Sequence, residues 1–285
     1  MFGSFMNNTA KKVKRFDVLT PFTRRSGLQW EKDVLAKDAC DATYVCSPDV
    51  MHATHAKECM ENGKHVLVEK PVYGFESVRD VAQRSGKVLM MIGFHRRHDI
   101  QFKKAKEYIQ KQMPKNILIE SYDPVPEDID LQNVVCNSVV HDLDVIHWLF
   151  DHEAKVRFEA ERSGGKTENS SLDLRFNIET SKGHKVDARI LYRKCFPKYI
   201  QRLAIDQKVF GYEFEAPLGI KFPADWSVSG PCMANEWEAA YKEQYEEFVN
   251  MIESGDTKKW IQLLDEYSTT FNMMESVAQH FKNKG

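Results

Sequence analysis

The chain has 285 residues, 42% hydrophobic and 29% charged, with a formal net charge of −2, so it is long enough for two domains and too apolar for extensive disorder. A charge this close to neutral supplies no overall positive field, which excludes a chain built to hold nucleic acid or an anionic membrane. No apolar run reaches the length of a membrane span, and Met1 to Ala10 lacks the basic and then apolar pattern of a secretory signal.

In chain order, the first feature is Lys11-Lys12-Val13-Lys14-Arg15. This basic run suits a nuclear-import or phosphate-binding patch, but its terminal place predicts a solvated tail. Met1 to Gly27 does not read as strand, glycine turn and helix. From about residue 30, strand and helix signals alternate. Asp41 to Ser47 is short, apolar and partly β-branched, and Pro48 ends it, so it reads as a buried strand. Met51 to Asn62 reads as a helix that Gly63 closes in a left-handed conformation. His65 to Val68 resumes a strand. A helix over Phe75 to Ser85, a stop at Gly86 and an apolar strand over Val88 to Ile92 repeat the cycle. Strands separated by helices of this length pair in parallel, because parallel neighbours need a long crossover.

Half of a doubly wound sheet is therefore expected, with ligands at the carboxyl ends of its strands. Those ends carry Ser47-Pro48, Glu69-Lys70-Pro71 and Phe94-His95-Arg96-Arg97. The basic run His95 to His98 invites a phosphate reading, yet its place after a strand favours a loop at a cleft.

Further on, the pattern predicts a helix over His98 to Lys111, a strand over Asn116 to Tyr122 and a loop over Asp123 to Asp130. Next comes a helix over Asn137 to Phe150, with Val140, Leu143, Ile146 and Leu149 as its core stripe. Ala154 to Phe214 alternates apolar and polar residues, as in Ser171 to Ile178, which predicts antiparallel strands with one wet face. Glu236 to Glu253 and Trp260 to Phe281 read as amphipathic helices that pack on this sheet or return to the first domain. Their Trp237, Tyr241, Tyr245, Phe248, Met273 and Met274 belong to core packing rather than to a cofactor box. The domain boundaries expected are 1–95 for an incomplete dinucleotide-binding domain and 96–285 for an open-sheet domain. The six cysteines, at 40, 46, 59, 136, 195 and 232, contain no Cys-x-x-Cys pair. They read as free thiols of a reducing compartment, so a cytoplasmic protein is expected.

Two residues stand out chemically. Lys70 follows a buried strand and is held between Glu69 and Pro71, where a side chain can face a cleft and move a proton. An oxidised nicotinamide beside it would lower its pKa by disfavouring a second positive charge. His141 lies one turn after Asn137, which predicts a catalytic histidine oriented by its neighbour. The alternative of a metal held by His141, Asp144 and His147 fails on spacing, because intervals of three and six do not share one helical face. No metal is expected.

Tyr44-Val45-Cys46-Ser47-Pro48-Asp49, His52 and Gly63 to Pro71 together resemble the Gfo/Idh/MocA oxidoreductases. Gly93-Phe94-His95-Arg96-Arg97 and Val140 to Leu149 carry the same resemblance, nearest to the inositol 2-dehydrogenase branch. It extends from about Leu28 to the C-terminus. The resemblance implies an α/β fold in which a truncated Rossmann-type parallel sheet domain precedes an α+β domain with a large open, mostly antiparallel sheet. It implies a homodimer or homotetramer, and hydride transfer between NAD or NADP and a secondary alcohol of a small polyol or sugar. Lys70 then binds the reacting hydroxyl, His141 is the general base, and Ser47, Pro48, His52, Glu69, Lys70 and Pro71 form the cofactor edge.

Three positions depart from the family pattern. The only glycines before Ser47 are Gly3 and Gly27, so the Gly-x-Gly-x-x-Gly loop that brings a pyrophosphate to a helix N-terminus is missing. Asn137 stands where relatives have aspartate, and an amide orients the ring through a weaker bond than a charged partner makes. Tyr122 stands where many relatives place arginine. These departures lead to two alternatives to an active dehydrogenase: an inactive relative serving as a binding or regulatory subunit, and a fragment of a longer enzyme.

Overall fold

The computed structural model describes residues 16–19, 40–86, 88–123, 130–163, 171–194, 198–215 and 233–282. The chain divides into two compact units, Met1–Phe94 with Tyr241–Phe271, and His95–Ala240 with Asn272–Gly285. The first break lies beside the boundary expected after residue 95. Residues 241–271 group with the first unit, whereas the sequence reading placed all of 96–285 in the second domain.

In the first unit, strands β1 (Phe16–Leu19), β2 (Ala42–Val45), β3 (His65–Val68) and β4 (Met90–Ile92) form a parallel sheet in that order. β1 falls in a stretch where the sequence shows no strand. Its four residues are too few for a periodicity of their own, and it is defined by its pairing with β2, Phe16 opposite Ala42. All four residues of β2 are buried, as suits a strand covered on both faces.

A single 3₁₀ turn, Asp49–Met51, leads from β2 into α1 (His52–Glu61). α1 ends where expected: Gly63 takes φ 75°, its N–H donates to the Met60 carbonyl at 2.9 Å, and the Lys64 N–H donates to the Cys59 carbonyl at 3.0 Å. This pair of bonds closes the last turn before β3 begins at His65. α2 (Phe75–Ser85) buries Phe75, Val78, Val81 and Ala82, a stripe at helical spacing.

Helices α6 (Met233–Ser254) and α7 (Thr257–Lys282) contribute their residues 241–271 to this unit. Phe75 stacks on Phe271 at 4.9 Å, and Phe94 lies 5.8 Å from Tyr267 and 5.7 Å from Phe271. The edge of β4 is capped by side chains: Gln244 Nε2 donates to the Ile92 carbonyl at 3.1 Å, and Trp260 Nε1 to the Met90 carbonyl at 3.2 Å. A buried edge carbonyl without such a donor would cost about 1–3 kcal/mol. Tyr245, Phe248 and Met274 are buried, in agreement with their reading as core residues; the side chain of Trp237 lies outside the described residues.

The second unit opens on a 3₁₀ turn, His95–His98, and α3 (Ile100–Lys111). Asp99 caps α3, accepting from the Gln101 N–H at 2.7 Å. β5 (Asn116–Asp123) is followed by one continuous helical run: α4 (Leu131–Val134), a π turn over Val135–Val139, and α5 (Val140–Leu149). Then come β6 (Lys155–Ser163), β7 (Ser171–Glu179), β8 (Lys185–Lys194), β9 (Lys198–Ile205) and β10 (Lys208–Glu215). These six strands form a sheet in the order β10-β9-β5-β8-β7-β6, antiparallel except for β5 with β8.

β7 alternates as the sequence predicts, with Leu172, Leu174, Phe176 and Ile178 buried and the residues between them facing out. On the other face Tyr122 donates to Glu120 at 2.8 Å, Arg202 pairs with Glu120, and Arg189 forks onto Asp173 at 2.7 and 2.6 Å. Tyr122 is thus spent on a sheet-face network. No helix among the described residues is long and apolar enough to cross a membrane.

Candidate active site

In the first unit the predicted residues gather at the carboxyl ends of β2 and β3. The ladder extends one residue past β3, where the Glu69 N–H donates to the Val45 carbonyl at 2.8 Å. The chain then leaves the sheet at Lys70, half-buried, through a cis peptide bond to Pro71.

The Glu69 side chain does not reach outward. It accepts from the Tyr44 hydroxyl and lies against Gly93, where an added Cβ would sit 3.0 Å from Oε2 and 3.2 Å from Oε1. Glycine at 93 therefore leaves the carboxylate its room. Burial, followed by the neighbouring Glu69 charge, holds the Tyr44 hydroxyl well above its ordinary pKa. Burial and Glu69 also push the Cys46 thiol up to about 12, so Cys46 is no nucleophile at neutral pH. Cys40, Cys46, Cys59 and Cys136 are not in disulfides; Cys195 and Cys232 lie outside the described residues.

His52 is 2% exposed. Its Nδ1 is 2.9 Å from the Pro71 carbonyl and its Nε2 is 2.6 Å from the Ser47 carbonyl. Each ring nitrogen faces a backbone carbonyl, so the ring bridges the Ser47-Pro48 loop and the Glu-Lys-Pro segment and donates to one of the two carbonyls according to its tautomer. Ser47 Oγ is 2.9 Å from His55 Nδ1.

In the second unit the His95–His98 turn is clamped to the first turn of α5. The His95 and His141 rings meet edge to face at 4.9 Å. Arg96 pairs with Asp142, which also accepts from Ser121 Oγ at 2.9 Å. Arg97 forks onto Asp144 with bonds of 2.8 and 2.6 Å. Both arginines are about 8% exposed and both aspartates 1% or less. This overturns the phosphate-patch reading of the basic run, because its guanidinium charges are buried against carboxylates. It also commits Asp144 to Arg97, and among the described residues no group of three His, Cys, Asp or Glu side chains could hold a metal.

Asn137 lies inside the π turn. Between it and His141 the helix therefore changes from a wide to an ordinary turn, a geometry frequent at functional sites. Tyr44 and Gly93 lie against Glu69 in the first unit, and His95, Asp142 and Ser121 surround the start of α5 in the second; the sequence reading gave none of the five a role of its own. Glu69 and the histidine helix were the only signals pointing toward them.

Behind Arg97, His147 and His152 stack at 5.8 Å with an interplanar angle of 9°, and Arg97 donates to His152 Nε2 at 3.3 Å. Neither ring nitrogen of His147 has a hydrogen-bond partner among the described residues. Burial and then the Arg97 charge hold His147 down at about 4. Burial, Arg97, His147 and Lys106 hold His152 at about 2.

An unfolded imidazole titrates near 6.5. Between there and 4 the unfolded chain binds more protons than the folded one, so stability is lost as the pH falls through that window. His147 alone accounts for about 3 kcal/mol. Urea unfolding at intervals from pH 7 to pH 4 should show this loss, and His147→Leu should flatten it; an unchanged slope in the variant would reject the assignment.

A parallel sheet with a Glu-Lys-Pro turn at its carboxyl edge is the architecture of a dinucleotide-binding unit. Residues 5–94 match the oxidoreductase family with an NAD-binding Rossmann fold. Over that stretch the chain is similar to the Gfo/Idh/MocA oxidoreductases.

It is 30% identical to the uncharacterized oxidoreductase YrbE of Bacillus subtilis over 160 residues, which cover 53% of this chain and 46% of that one. It is 26% identical over 251 residues to the inositol 2-dehydrogenase/D-chiro-inositol 3-dehydrogenase of Halalkalibacterium halodurans, covering 79% and 69%. In fold it matches the myo-inositol dehydrogenase of Lactobacillus casei solved with NAD(H) and myo-inositol, with a TM-score of 0.60, 16% identity and coverage of 91% and 87%. The chain spans about half the length of the curated relatives it matches. Its residues 20–39, including Gly27, lie outside the described residues.

Proposed function

We propose that the chain binds NAD along the carboxyl ends of β2 to β4 and oxidises a secondary alcohol of a cyclitol or sugar. The observation that carries this reading is Lys70 at the end of β3, fixed on both flanks in a stretch similar to the NAD-binding oxidoreductases. The residues there suit the cofactor: open strand ends form the usual dinucleotide crevice, and the Ser47-Pro48 loop is tied to the Pro71 carbonyl through His52.

Lys70 donates to the oxygen of the reacting hydroxyl, and His141 takes the hydroxyl proton as the C–H hydride departs. NAD, when bound, supplies the hydride acceptor. Asn137 stands one turn before the histidine, in the adjoining π turn. A cytoplasmic location, with free thiols, and a homodimer or homotetramer belong to the same proposal.

Titrating the purified chain with NADH and with NADPH while following nicotinamide fluorescence tests it. Saturable binding of NADH is expected, and flat titrations with both would sink the reading. With myo-inositol as substrate, Asn137→Asp should raise turnover about fivefold, because a carboxylate one turn before His141 favours the imidazolium by roughly 1 kcal/mol more than the amide does. The acidic limb of the pH profile should move upward, because a carboxylate favours the protonated ring. No change in either quantity would remove Asn137 from the site.

A further inference from the structure

We propose that Tyr44 is a positioning residue for Lys70, acting through the Glu69 carboxylate, while His52 holds the other flank of the same lysine. The inference rests on the reading of Lys70 as the proton-handling residue, and it assigns a task to three side chains that make no call on substrate. The parallel register sets Tyr44 opposite Leu67, and the ladder runs on to Glu69 before the chain turns away. Tyr44 is 9% exposed, and its hydroxyl donates to Glu69 Oε1.

Opposite, Gly93 leaves the same carboxylate a slot into which one added methyl group would press, displacing it by a few tenths of an ångström. The carboxylate is thus confined between a phenol and a backbone, directly before Lys70. Directly after Lys70, the Pro71 carbonyl is held by His52 Nδ1 at 2.9 Å, and the ring's other nitrogen meets the Ser47 carbonyl at 2.6 Å. Two pins, one on each neighbour of the lysine, fix the peptide from which its side chain departs. Preorganisation of this kind keeps a catalytic group within its productive geometry.

The Tyr44 hydroxyl also tempers the carboxylate. An acceptor bonded to a donor exerts less of its charge on a neighbour than one without, so removing the hydroxyl favours the ammonium form of Lys70. A tyrosine that merely fills the core predicts otherwise, because Tyr44→Phe keeps the ring and deletes only the hydrogen bond.

The test is acetic anhydride labelling of the full chain at pH 7 to 10, with Lys70 and the exposed Lys111 quantified separately by peptide mass spectrometry. In Tyr44→Phe the Lys70 midpoint should rise by about half a unit, read as roughly threefold slower labelling at pH 8, with Lys111 unchanged. An unchanged or faster Lys70 overturns the proposal. If Tyr44→Phe fails to fold, Glu69→Gln replaces it: the neutral amide should speed Lys70 labelling, and no change there overturns the proposal equally. Labelling needs no cofactor, so a chain that fails to bind NADH would defeat the proposed function while leaving this result to be read.

Discussion

Replacing Lys70 with alanine is expected to lower turnover by about 10²- to 10⁴-fold, the usual contribution of a positioned proton-transfer group, while the urea midpoint stays where it is. Two facts separate chemistry from stability here. Lys70 is half-buried and follows the last ladder bond of β3, so its side chain is no part of the core formed by Val66, Leu67 and Val68. The bonds that fix its peptide come from Glu69 and Pro71, which the substitution leaves in place. Substitutions of this kind change stability by within about 0.5 kcal/mol.

Lys70→Arg should be nearly as inactive, because a planar guanidinium on a longer side chain does not place its N–H groups where the compact ammonium donates to the reacting oxygen. NADH affinity should change far less than turnover. A Lys70→Ala chain that turns over at the original rate would show that the lysine is decoration at a strand end.

What the sequence reveals depends on the range of the interaction involved. β2, β3 and β4 are legible because a strand buried on both faces must be a short apolar run, and Pro48, Gly63 and Gly86 mark the breaks between elements. β7 is legible because a half-wet strand must alternate. Lys70 and His141 are proposed from the sequence because each stands in a run whose residue types have few other uses.

The partners of these residues are not local. Tyr44 and Glu69 are 25 positions apart and meet only through the parallel register. Arg96 and Asp142 are 46 apart, and Arg97 and Asp144 are 47 apart, so neither half of a pair announces the other. The His95–His98 run therefore looks like an exposed basic patch until the aspartates that bury it are known. The π turn around Asn137 leaves no mark either, since Val-Cys-Asn-Ser-Val is compatible with an α-helix. β1 is too short to declare itself, and the return of 241–271 to the first unit is written in its contacts, Gln244 and Trp260 against β4, rather than in a boundary signal.

Breaking the Arg97–Asp144 pair on one side is expected to cost about 3–5 kcal/mol, because either single substitution leaves a buried charge without its bidentate counterpart. Arg97→Met and Asp144→Leu should therefore each lower the urea midpoint strongly. The double variant should recover most of the loss, since two packed apolar side chains of similar volume replace a buried ion pair at little net cost. The coupling energy from this cycle isolates the pair from the rest of the clamp, where Arg96, Asp142 and Ser121 remain joined.

Arg97 is also the second cause, after burial, of the low pKa of both His147 and His152. Arg97→Met should make the loss of stability between pH 7 and pH 4 shallower without abolishing it, because burial keeps disfavouring the charged rings. A variant whose pH slope equals that of the parent chain would show that the guanidinium does not act on the imidazoles. A double variant no more stable than either single one would show that the clamp needs its charges to pack.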